Sequence, residues 1–503
     1  MKLLCVLGLL VLLLVTPAVL LAGDVLQHHL HGTRDGWYVD PHLTPAAAAT
    51  MHRDPTFHAP LPGPTYAQPL YVTQGPGGRA AFIVATEQNR VVALDARDGA
   101  PLWVRHLGTP VPRAQLPCGN LDPLGITGTP VIDPEARSIY VAATTTADGG
   151  VTTQQHIFAL ALEDGATRPG WPLEVSGLRA QGRAFTATVQ QQRSALLLQA
   201  GRLYVPYGGH FGDCGDYHGW VVAVPVDQPT GATAWVTAAR GGGIWAPGGI
   251  STDGAWLFAA TGNTFGARTW GGGEAVIRLG PGATFSGEPS DYFVPSNWPH
   301  LDAADLDVGG SGPVVLEVPG ATPSQVVVAL GKNGVAYVLD RQNLGGLGTG
   351  DGTTGEGVQS RHVASGPIIT AAAAYTVASG TYVVFTATGT GRGCPGTPGN
   401  LVALKLGATA PPTITVAWCA DTPGRGAPIV TTTDGASDPI VWSVGAESSN
   451  RLYAFNGETG AVLFAGGGPA DQMRLIRRFQ TPIAVNGRIV VAADQELYVF
   501  TTP

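Results

Sequence analysis

The apolar residues of this chain fall into short runs, each bounded by Gly, Pro, Asp or Asn. The stretch RAAFIVATEQNRVVALDARDGAPLWV is typical: it holds two apolar runs rich in β-branched residues, a tight DARDG turn and then a Trp. Short apolar runs between turn-forming residues indicate β-strands. The pattern therefore predicts a chain built from hairpins.

A similar unit of about sixty residues recurs along the chain, which is the sign of a repeat architecture. Each unit begins with a short strand that ends in a turn, such as GTPVIDPEA or GAPIVTTTDG, and continues with three further strands. Four strands per unit make a propeller blade, and eight units fit the 503 residues. We predict an all-β fold, an eight-bladed β-propeller.

The last unit, which ends in RIVVAADQELYVF, lacks a fourth strand. The segment around residues 54–63 can supply that strand from the other end of the chain. We therefore expect the ring to be closed by N- and C-terminal strands that share one blade.

The connections between strands are unequal in length. If the strands of a blade are named A to D, the A–B and C–D turns lie on one face of the ring, and here they are short. The B–C and D–A connections lie on the other face and are long, for example TTTADGGVTTQQ, GGHFGDCGDYHG, GNTFGARTWGGGE and the insert from Ser286 to Gly310. Function commonly resides on loops held by a rigid scaffold, so we expect the site on this long-loop face.

Four cysteines follow the N-terminal apolar segment, and all of them fall in the long connections. Cys118 and Cys214 lie in neighbouring connections, as do Cys394 and Cys419. The geometrically plausible pairing is therefore Cys118 with Cys214 and Cys394 with Cys419. An even number of cysteines in an exported chain favours two disulfides.

The N-terminus has one positive charge, Lys2, followed by LLCVLGLLVLLLVTPAVLLA. We interpret residues 1–23 as a signal peptide, with an uncleaved membrane anchor as the alternative. Residues 24–53 form an N-terminal extension, expected to be a flexible tail, and residues 54–503 form the propeller. The protein is then exported, periplasmic or extracellular, has no membrane span after cleavage, and is expected to be a monomer.

Composition narrows the function further. Charged residues make up only 13% of the chain and Gly is abundant, with 71 residues, which disfavours a helical fold. The net charge of −8, with no basic cluster, argues against nucleic acid as a partner. The chain has no Cys-x-x-Cys-His motif, so covalently attached c-type haem is excluded.

The string ALDARDGAPLW matches the pattern Ala-x-Asp-x-x-(Thr or Asp)-Gly-x-x-x-Trp of pyrroloquinoline quinone (PQQ) repeats, and AFNGETGAVLF is a weaker copy. In this pattern Gly forms the C–D turn, and the Trp of strand D packs between blades. The chain thus resembles the quinoprotein alcohol dehydrogenase-like propellers, a group that contains PQQ-dependent dehydrogenases and non-catalytic relatives. The resemblance covers nearly all of the mature chain.

The resemblance also assigns candidate site residues. GGGIWAPGG followed by LFAATGN is similar to the dehydrogenase segment that holds the cofactor, which makes Trp245 the floor under PQQ and Asn263 a Ca²⁺ ligand. LGKNGVAYVLDR places Lys332 at the quinone carbonyl oxygens. LDAADLDVGG supplies Asp305 or Asp307 as the general base, which would take a proton from an alcohol.

Two features depart from the dehydrogenase pattern. The adjacent-cysteine disulfide is absent, because PCGN contains Cys118 alone. The loop that carries a Glu ligand for Ca²⁺ reads GHFGDCGDYHG, so Asp213 or Asp216 would have to replace the Glu. Each candidate also has a purely structural interpretation, as a packing, turn or surface residue.

Two hypotheses follow. In the first, the long-loop face binds a small molecule, a glycan or a protein without redox chemistry, as a binding or scaffold module. In the second, the protein is a PQQ- and Ca²⁺-dependent oxidoreductase that acts on an alcohol or an aldose. A structure can discriminate between these hypotheses: the second is favoured if Trp245, Asn263, Lys332 and an Asp converge on one axial pocket.

Overall fold

Antiparallel four-stranded meanders succeed one another along the chain in the computed structural model, which describes residues 23–502. They form the blades of an eight-bladed β-propeller, as the repeat predicts. Residues 1–22 of the predicted signal peptide lie outside the described residues. Among the described residues, no helix is long and apolar enough to cross a membrane.

The strands of the first four blades are given from the innermost strand outwards. Blade 1 consists of Leu70–Val72, Ala81–Thr86, Arg90–Asp95 and Pro101–His106. Blade 2 consists of Val131–Asp133, Ser138–Thr145, Gln154–Ala161 and Leu173–Glu174. Blade 3 consists of Leu197–Gln199, Arg202–Gly209, Trp220–Pro225 and Thr233–Val236. Blade 4 consists of Ser251–Thr252, Leu257–Ala260, Val276–Leu279 and Tyr292–Val294.

The remaining blades follow the same order. Blade 5 consists of Val314–Glu317, Gln325–Leu330, Val335–Asp340 and Gln359–His362. Blade 6 consists of Ala373–Val377, Gly380–Thr386, Leu401–Leu406 and Ile414–Ala420. Blade 7 consists of Ile429–Thr432, Ile440–Val444, Leu452–Asn456 and Val462–Ala465. Blade 8 begins with Ile483–Val485, Arg488–Ala493 and Glu496–Thr501.

Short elements decorate this ring. The α-helices of the described chain are Pro45–Ala49 and Trp298–Ala304. Single 3₁₀ turns occur at Pro76–Gly78, Arg113–Gln115, Ala187–Val189, Pro229–Gly231, Pro289–Asp291, Val308–Gly310 and Pro469–Asp471. Additional short strands are Trp37–Val39, Arg179–Ala180, Arg183–Ala184, Gln190–Gln191 and Gly346–Leu347.

The ring closes as the sequence predicts, with both chain ends in blade 8. His52–Arg53 and Ala59–Pro60 both pair antiparallel with Glu496–Thr501 and form its outer edge. This closure leaves no unpaired end in the ring of blades, so neighbouring blades support one another all the way round.

The larger hydrophobic clusters of the interior are shared by neighbouring blades. One cluster, for example, joins Ile83 and Val91 of blade 1 to Ile139 and Val141 of blade 2, all with exposures near zero. Because both faces of a blade are covered by its neighbours, the middle strands are continuous apolar runs and do not alternate apolar with polar residues.

The Trp of the repeat forms a hydrogen bond to the next blade and packs against it. Trp103 of blade 1 donates its Nε1 hydrogen to the Leu162 carbonyl of blade 2 at 3.0 Å. A Cβ on Gly165, in the following C–D turn, would lie 2.8 Å from the Trp103 ring. Trp418 of blade 6 makes the same contact with the turn of blade 7 at Gly460. The repeat therefore pairs a large strand-D residue with a Gly on the neighbouring blade.

The N-terminal extension is not the flexible tail that the sequence suggested. Its residues from Val25 to Gly36 lie along the inner strands, where His28, His29 and Arg34 are at most 2% exposed. Backbone hydrogen bonds join this segment to Tyr71, Ile132, Thr252, Val315, Ala374 and Val430, which belong to blades 1, 2, 4, 5, 6 and 7. Side-chain bonds from Arg34 to Leu196 and from His28 to Thr481 reach residues next to blades 3 and 8. The segment thus contacts the whole ring.

Both predicted disulfides are present. Cys118 joins Cys214 across 96 residues, and Cys394 joins Cys419 across 25 residues. The first disulfide connects the loop before blade 2 to the long loop of blade 3. It therefore holds together two parts of the long-loop face.

Candidate functional site

A cavity of about 240 Å³ lies at the long-loop end of the propeller, lined by residues from several blades. Its wall contains the predicted floor residue, the predicted carbonyl contact, both predicted bases and two predicted metal ligands: Trp245, Lys332, Asp305, Asp307, Asn263 and Asp213. The convergence that the sequence analysis set as a condition is therefore met. Asp216 is not in this wall.

Asp307 is the centre of the hydrogen-bond network in the cavity. Its Oδ1 accepts the backbone N–H of Asn263 at 3.0 Å, and its Oδ2 accepts the indole N–H of Trp245 at 2.8 Å. The ammonium of Lys332 lies 2.8 Å from the same Oδ2. This buried carboxylate therefore fixes three of the predicted residues relative to one another.

Lys332 bridges the two predicted bases. Its Nζ lies 2.6 Å from Asp305 Oδ1 in addition to its contact with Asp307, and it sits 5.1 Å from the centre of the Trp245 ring. Burial opposes the charge, but the attraction of Asp307 and Asp305 outweighs it and raises the pKa of Lys332. The ammonium consequently stays charged at neutral pH.

The local backbone explains why these groups meet. The Lys332 N–H donates to the Asp307 carbonyl at 2.8 Å, which ties the GKNG turn to the connection between blades 4 and 5. Asp305 ends the helix Trp298–Ala304 in a left-handed conformation, with φ of 53°. At Gly262 a Cβ would lie 3.0 Å from the Asp307 carboxyl carbon and 3.1 Å from Trp245 Nε1, so only Gly leaves room for this contact.

Asn263 presents its side chain to the cavity. Its backbone is held by Asp307, whereas its side-chain amide forms no hydrogen bond with any residue of the described chain. The residue is only 6% exposed. A nearly buried amide without a protein partner is suited to bind a ligand or a cation through its oxygen.

Asp213 enters from the long loop of blade 3 that the disulfide holds. The Tyr217 hydroxyl donates to Asp213 Oδ1 at 2.6 Å, and Oδ2 has no hydrogen-bond partner among the described residues. Burial, together with the charges of Asp307 and Asp305, raises the pKa of Asp213. The alternative ligand, Asp216, has a side chain that is 80% exposed and lies 3.8 Å from His218. The structure brings Asp213 to the cavity and leaves Asp216 outside it.

Several residues of the site were missed from the sequence. Glu274 is fully buried behind Asp307, and its Oε2 accepts the backbone N–H of Val308 at 2.7 Å. Burial and the neighbouring Asp307 raise the pKa of Glu274 well above its usual range. Its context, GGGEAV, has no catalytic signature. Arg193 and Phe479, which also line the cavity, come from connections without a recognisable motif.

The side chains of the wall suit a flat, oxygen-rich ligand better than a metal ion alone. The indole of Trp245 offers a planar surface, and Lys332 stands beside it as a cation. Only Asn263 and Asp213 offer an uncommitted oxygen among the predicted metal ligands of the wall, and residues 23–502 contain no group of three or more His, Cys, Asp or Glu placed to hold a metal ion. Ca²⁺ takes six to eight oxygens. The donor set therefore fits Ca²⁺ only when a bound ligand adds oxygens of its own.

Comparison with solved structures identifies the class of fold. The chain is similar to the quinohemoprotein alcohol dehydrogenase of Comamonas testosteroni, with a TM-score of 0.63, 14% identity, and coverage of 95% of this chain and 80% of that chain. It is similar to a europium-containing methanol dehydrogenase, with a TM-score of 0.66, 14% identity, and coverage of 95% and 98%. The quinohemoprotein alcohol dehydrogenase ADHIIG of Pseudomonas putida HK5 matches with a TM-score of 0.63, 13% identity, and coverage of 95% and 80%.

These matches confirm the quinoprotein dehydrogenase-like eight-bladed propeller that the repeat suggested. At 13–14% identity, the likeness shows the fold alone. No protein-family model and no curated protein sequence matches the chain.

Proposed function

We propose that the protein is a quinone-dependent oxidoreductase that binds PQQ in the axial cavity and oxidises an alcohol or an aldose. The observation that carries this proposal is the convergence of Trp245, Lys332, Asp305, Asp307 and Asn263 on one cavity wall. The solved structures with the same fold include alcohol and methanol dehydrogenases, which supports the same class of reaction.

In this proposal Trp245 and Lys332 position the cofactor. The indole face stacks on the planar ring system, and the ammonium faces the quinone carbonyl oxygens. When bound, PQQ supplies a carbonyl group that accepts a hydride equivalent. Asp307 holds both protein groups in place, since it bonds the indole N–H and the ammonium at the same oxygen.

In this proposal Asp305 is the general base that accepts the proton of the substrate hydroxyl. One of its oxygens binds Lys332, whereas the other has no partner among the described residues, and the side chain is 63% exposed. Asp307 is buried and already accepts three donors, so its oxygens are committed to holding Trp245, Asn263 and Lys332. Asp305 therefore accepts the proton and passes it to solvent, and Asp307 acts as a positioning residue.

Asn263 and Asp213 hold Ca²⁺ in this proposal. The oxygens that they offer are too few for a complete coordination shell. A bound PQQ and water would have to supply the remaining oxygen ligands. The metal and the quinone would then each raise the affinity of the protein for the other.

We further propose that the protein is exported and acts as a monomer. Two disulfides are expected in an oxidising compartment such as the periplasm or the cell exterior. The N-terminal apolar run, residues 1–23 in the predicted signal peptide, supplies the export signal.

The test is a titration of the purified protein with PQQ, with and without Ca²⁺, followed by Trp fluorescence and by dye reduction with a panel of alcohols and aldoses. We expect saturable quenching at micromolar PQQ or below and dye reduction with at least one substrate. Trp245→Ala should abolish the binding. Trp270→Ala, which removes a partly exposed Trp outside the cavity, is the matched control. No PQQ binding under either condition contradicts the proposal.

A second candidate is a binding module that holds a small molecule, a glycan or a protein segment without redox chemistry. It is favoured by the Cys118–Cys214 disulfide, which joins two separate loops and replaces the adjacent-cysteine pair of the dehydrogenases. The same titration separates the candidates. Saturable binding without dye reduction for any substrate of the panel supports the binding module.

A further inference from the structure

Arg193 is a cationic side chain of the cavity wall that forms no salt bridge in the described chain, although Glu87 and Asp213 are near enough for their charges to raise its pKa. It lies in the connection between blades 2 and 3, after Gln190–Gln191, and lines the cavity together with Phe479. Its guanidinium Nη2 donates a hydrogen bond to the Gln191 side-chain oxygen at 3.1 Å. Its guanidinium lies 6.0 Å from the Phe479 ring centre. Among the described residues it forms no salt bridge.

Four arginines at this end of the propeller are satisfied by acceptors. Arg478 pairs with Glu447 at 2.9 Å and Arg477 pairs with Asp494 at 2.6 Å. Arg113 and Arg240 donate to backbone carbonyls at 2.6 and 2.7 Å, respectively. Arg193 differs from these four, because the five N–H donors of a guanidinium are normally matched by several acceptors and Arg193 has one hydrogen bond.

Keeping such a group in place is unfavourable without a ligand. Burial of a charge without a salt-bridge partner costs free energy, which the contacts with Gln191 and Phe479 and the charges of Glu87 and Asp213 offset only in part. Burial lowers the pKa of Arg193 to about 10, so the guanidinium still carries its charge at neutral pH. A charged group that is retained at a cavity wall, and that does not stabilise the fold, points to recognition of an anion.

The positions of the charges extend this argument. The acidic groups of the cavity and Lys332 come from blades 3 to 5, whereas Arg193 comes from the connection before blade 3. The wall therefore offers an aromatic surface, a Lys–Asp pair and a guanidinium without a salt bridge, contributed by different segments of the ring. A flat ligand that carries a carboxylate offers a complementary group to each of them.

We infer that Arg193 binds a carboxylate of the ligand in the axial cavity, so that the site selects flat aromatic anions over their uncharged analogues. This inference deepens the proposed function, because PQQ carries three carboxylates and Arg193 would receive one of them. It does not require PQQ, however, since any planar carboxylate that fits the cavity makes the same contact.

The experiment uses two acids, PQQ and quinoline-2,4-dicarboxylate, each with its methyl ester, titrated against the full mature protein by Trp fluorescence. The wild type is expected to bind an acid at least tenfold more tightly than its ester. Arg193→Gln should remove this preference and leave ester binding within twofold, and Arg193→Lys should retain part of it because Lys keeps the charge. Arg477→Gln, which breaks an ion pair outside the cavity, is the matched control.

Thermal melting provides a readout that a structural role of Arg193 would move in the opposite direction. Because the wild-type charge is buried without a partner, Arg193→Gln should melt no lower than the wild type. A clear fall in melting temperature, an acid preference that survives in Arg193→Gln, or no acid preference in the wild type for either acid each overturns the inference. If quinoline-2,4-dicarboxylate shows the preference but PQQ does not bind, only the proposed function fails.

Discussion

Asp305 and Asp307 bind the same ammonium, yet their surroundings differ sharply. The side chain of Asp305 is 63% exposed, whereas that of Asp307 is 2% exposed and accepts donors from three residues. An exposed carboxylate with a free oxygen can exchange a proton with solvent. A buried carboxylate with its oxygens committed is suited to hold its neighbours in position.

This difference predicts opposite phenotypes for two isosteric variants. Asp305→Asn should retain PQQ binding and lower kcat by about 10²- to 10⁴-fold, the usual effect of removing a general base. Asp307→Asn should weaken PQQ binding and destabilise the protein by roughly 3 kcal/mol, because an amide nitrogen then faces donors in a buried site. Quenching titrations, steady-state dye reduction and urea unfolding measure the three effects. Loss of turnover in Asp307→Asn with unchanged binding and stability would reverse the assignment.

Glu87 provides a pH-dependent prediction at the residue scale. Burial raises its pKa from 4.5 to about 7, although its Oε2 accepts the Gly125 N–H at 2.8 Å. Between these pH values the folded protein holds a proton that the unfolded chain has released, so the free energy of unfolding falls as pH rises. Across this pH range the free energy of unfolding falls by about 3 kcal/mol in total.

Glu87→Gln removes this dependence, since the amide mimics the protonated acid. The variant should match the wild type in stability near pH 4.5 and exceed it by about 3 kcal/mol above pH 7. Urea unfolding at a series of pH values measures the difference. A difference that is the same at pH 5 and pH 8 contradicts the assigned pKa.

At this scale the sequence predicted residues that belong to a motif and missed those that do not. Trp245, Asn263 and Lys332 follow turns whose residues resemble a known segment, and all of them reach the cavity. Arg193 lines the cavity, and Glu274 lies buried beside Asp307, only because the fold brings them there. The two residues lie in connections of different blades. No spacing along the sequence relates such connections, so a single sequence could not reveal these residues.

At the scale of elements, the Cys118–Cys214 disulfide belongs to the site and the Cys394–Cys419 disulfide does not. Gly212 and Asp213, beside the first disulfide, line the cavity, whereas neither residue of the second disulfide does. The two crosslinks therefore form a natural matched pair, in which one tests the loop and the other tests general stability.

Replacement of both cysteines of either pair by Ser should destabilise the protein by about 3–5 kcal/mol, with the larger loss for the crosslink that spans 96 residues. Only Cys118→Ser with Cys214→Ser should also weaken PQQ binding, because the loop that carries Asp213 loses its tether. Chemical unfolding and quenching titrations at a temperature where both variants remain folded measure these effects. Equal binding by the two double variants would show that the loop is held by other contacts.

The N-terminal segment shows why an element can escape prediction. Its polar residues, such as HHLHGTRD, read as a solvated tail. In the structure their backbone and side chains form hydrogen bonds with residues in or next to the innermost strands. The inner edge of each of these strands faces the axis, where no further strand of the blade pairs with it. The polar groups of the segment provide hydrogen-bond partners for these strand edges, and nothing in the sequence indicates that they lie in such an environment.

Arg34 concentrates the stabilising contacts of this segment. Its guanidinium donates to the carbonyls of Ile250, His28 and Leu196 at 2.9, 2.8 and 2.8 Å, and the residue is 2% exposed. Arg34→Met keeps the length of the side chain and leaves three buried carbonyls without a donor, so we expect a loss of about 3–5 kcal/mol in unfolding free energy. Arg53→Met, at the exposed edge of blade 8, is the control. A loss below 1 kcal/mol would mean that the segment adapts without Arg34.

At the scale of the whole molecule, the repeat made the fold predictable. The repeat unit occurs eight times and carries short turns and a Gly–Trp pair. These features specify the ring and its closure, because each blade covers its neighbours in the same way. The site is less predictable for the same reason. It is assembled from connections of different blades, and those are the parts in which the copies differ.

In the proposed function, assembly of the site from several blades couples the binding of the metal to that of the quinone. Among the predicted metal ligands, Asn263 and Asp213 offer uncommitted oxygens in the cavity wall of the described chain, and these are too few for Ca²⁺. If PQQ completes the shell, each ligand must raise the affinity of the other by the same factor. We expect this factor to be at least tenfold, which corresponds to about 1.4 kcal/mol.

Calorimetric titration measures the coupling in both directions. Ca²⁺ alone should bind weakly or not at all, and it should bind at a single site once PQQ is present. Asn263→Ala should remove the coupling while leaving PQQ binding in the presence of EDTA unchanged, because the indole and ammonium contacts remain. Ca²⁺ that binds the PQQ-free protein as tightly as the PQQ complex would show that the protein holds the metal without help from the cofactor, and the shared coordination shell would have to be abandoned.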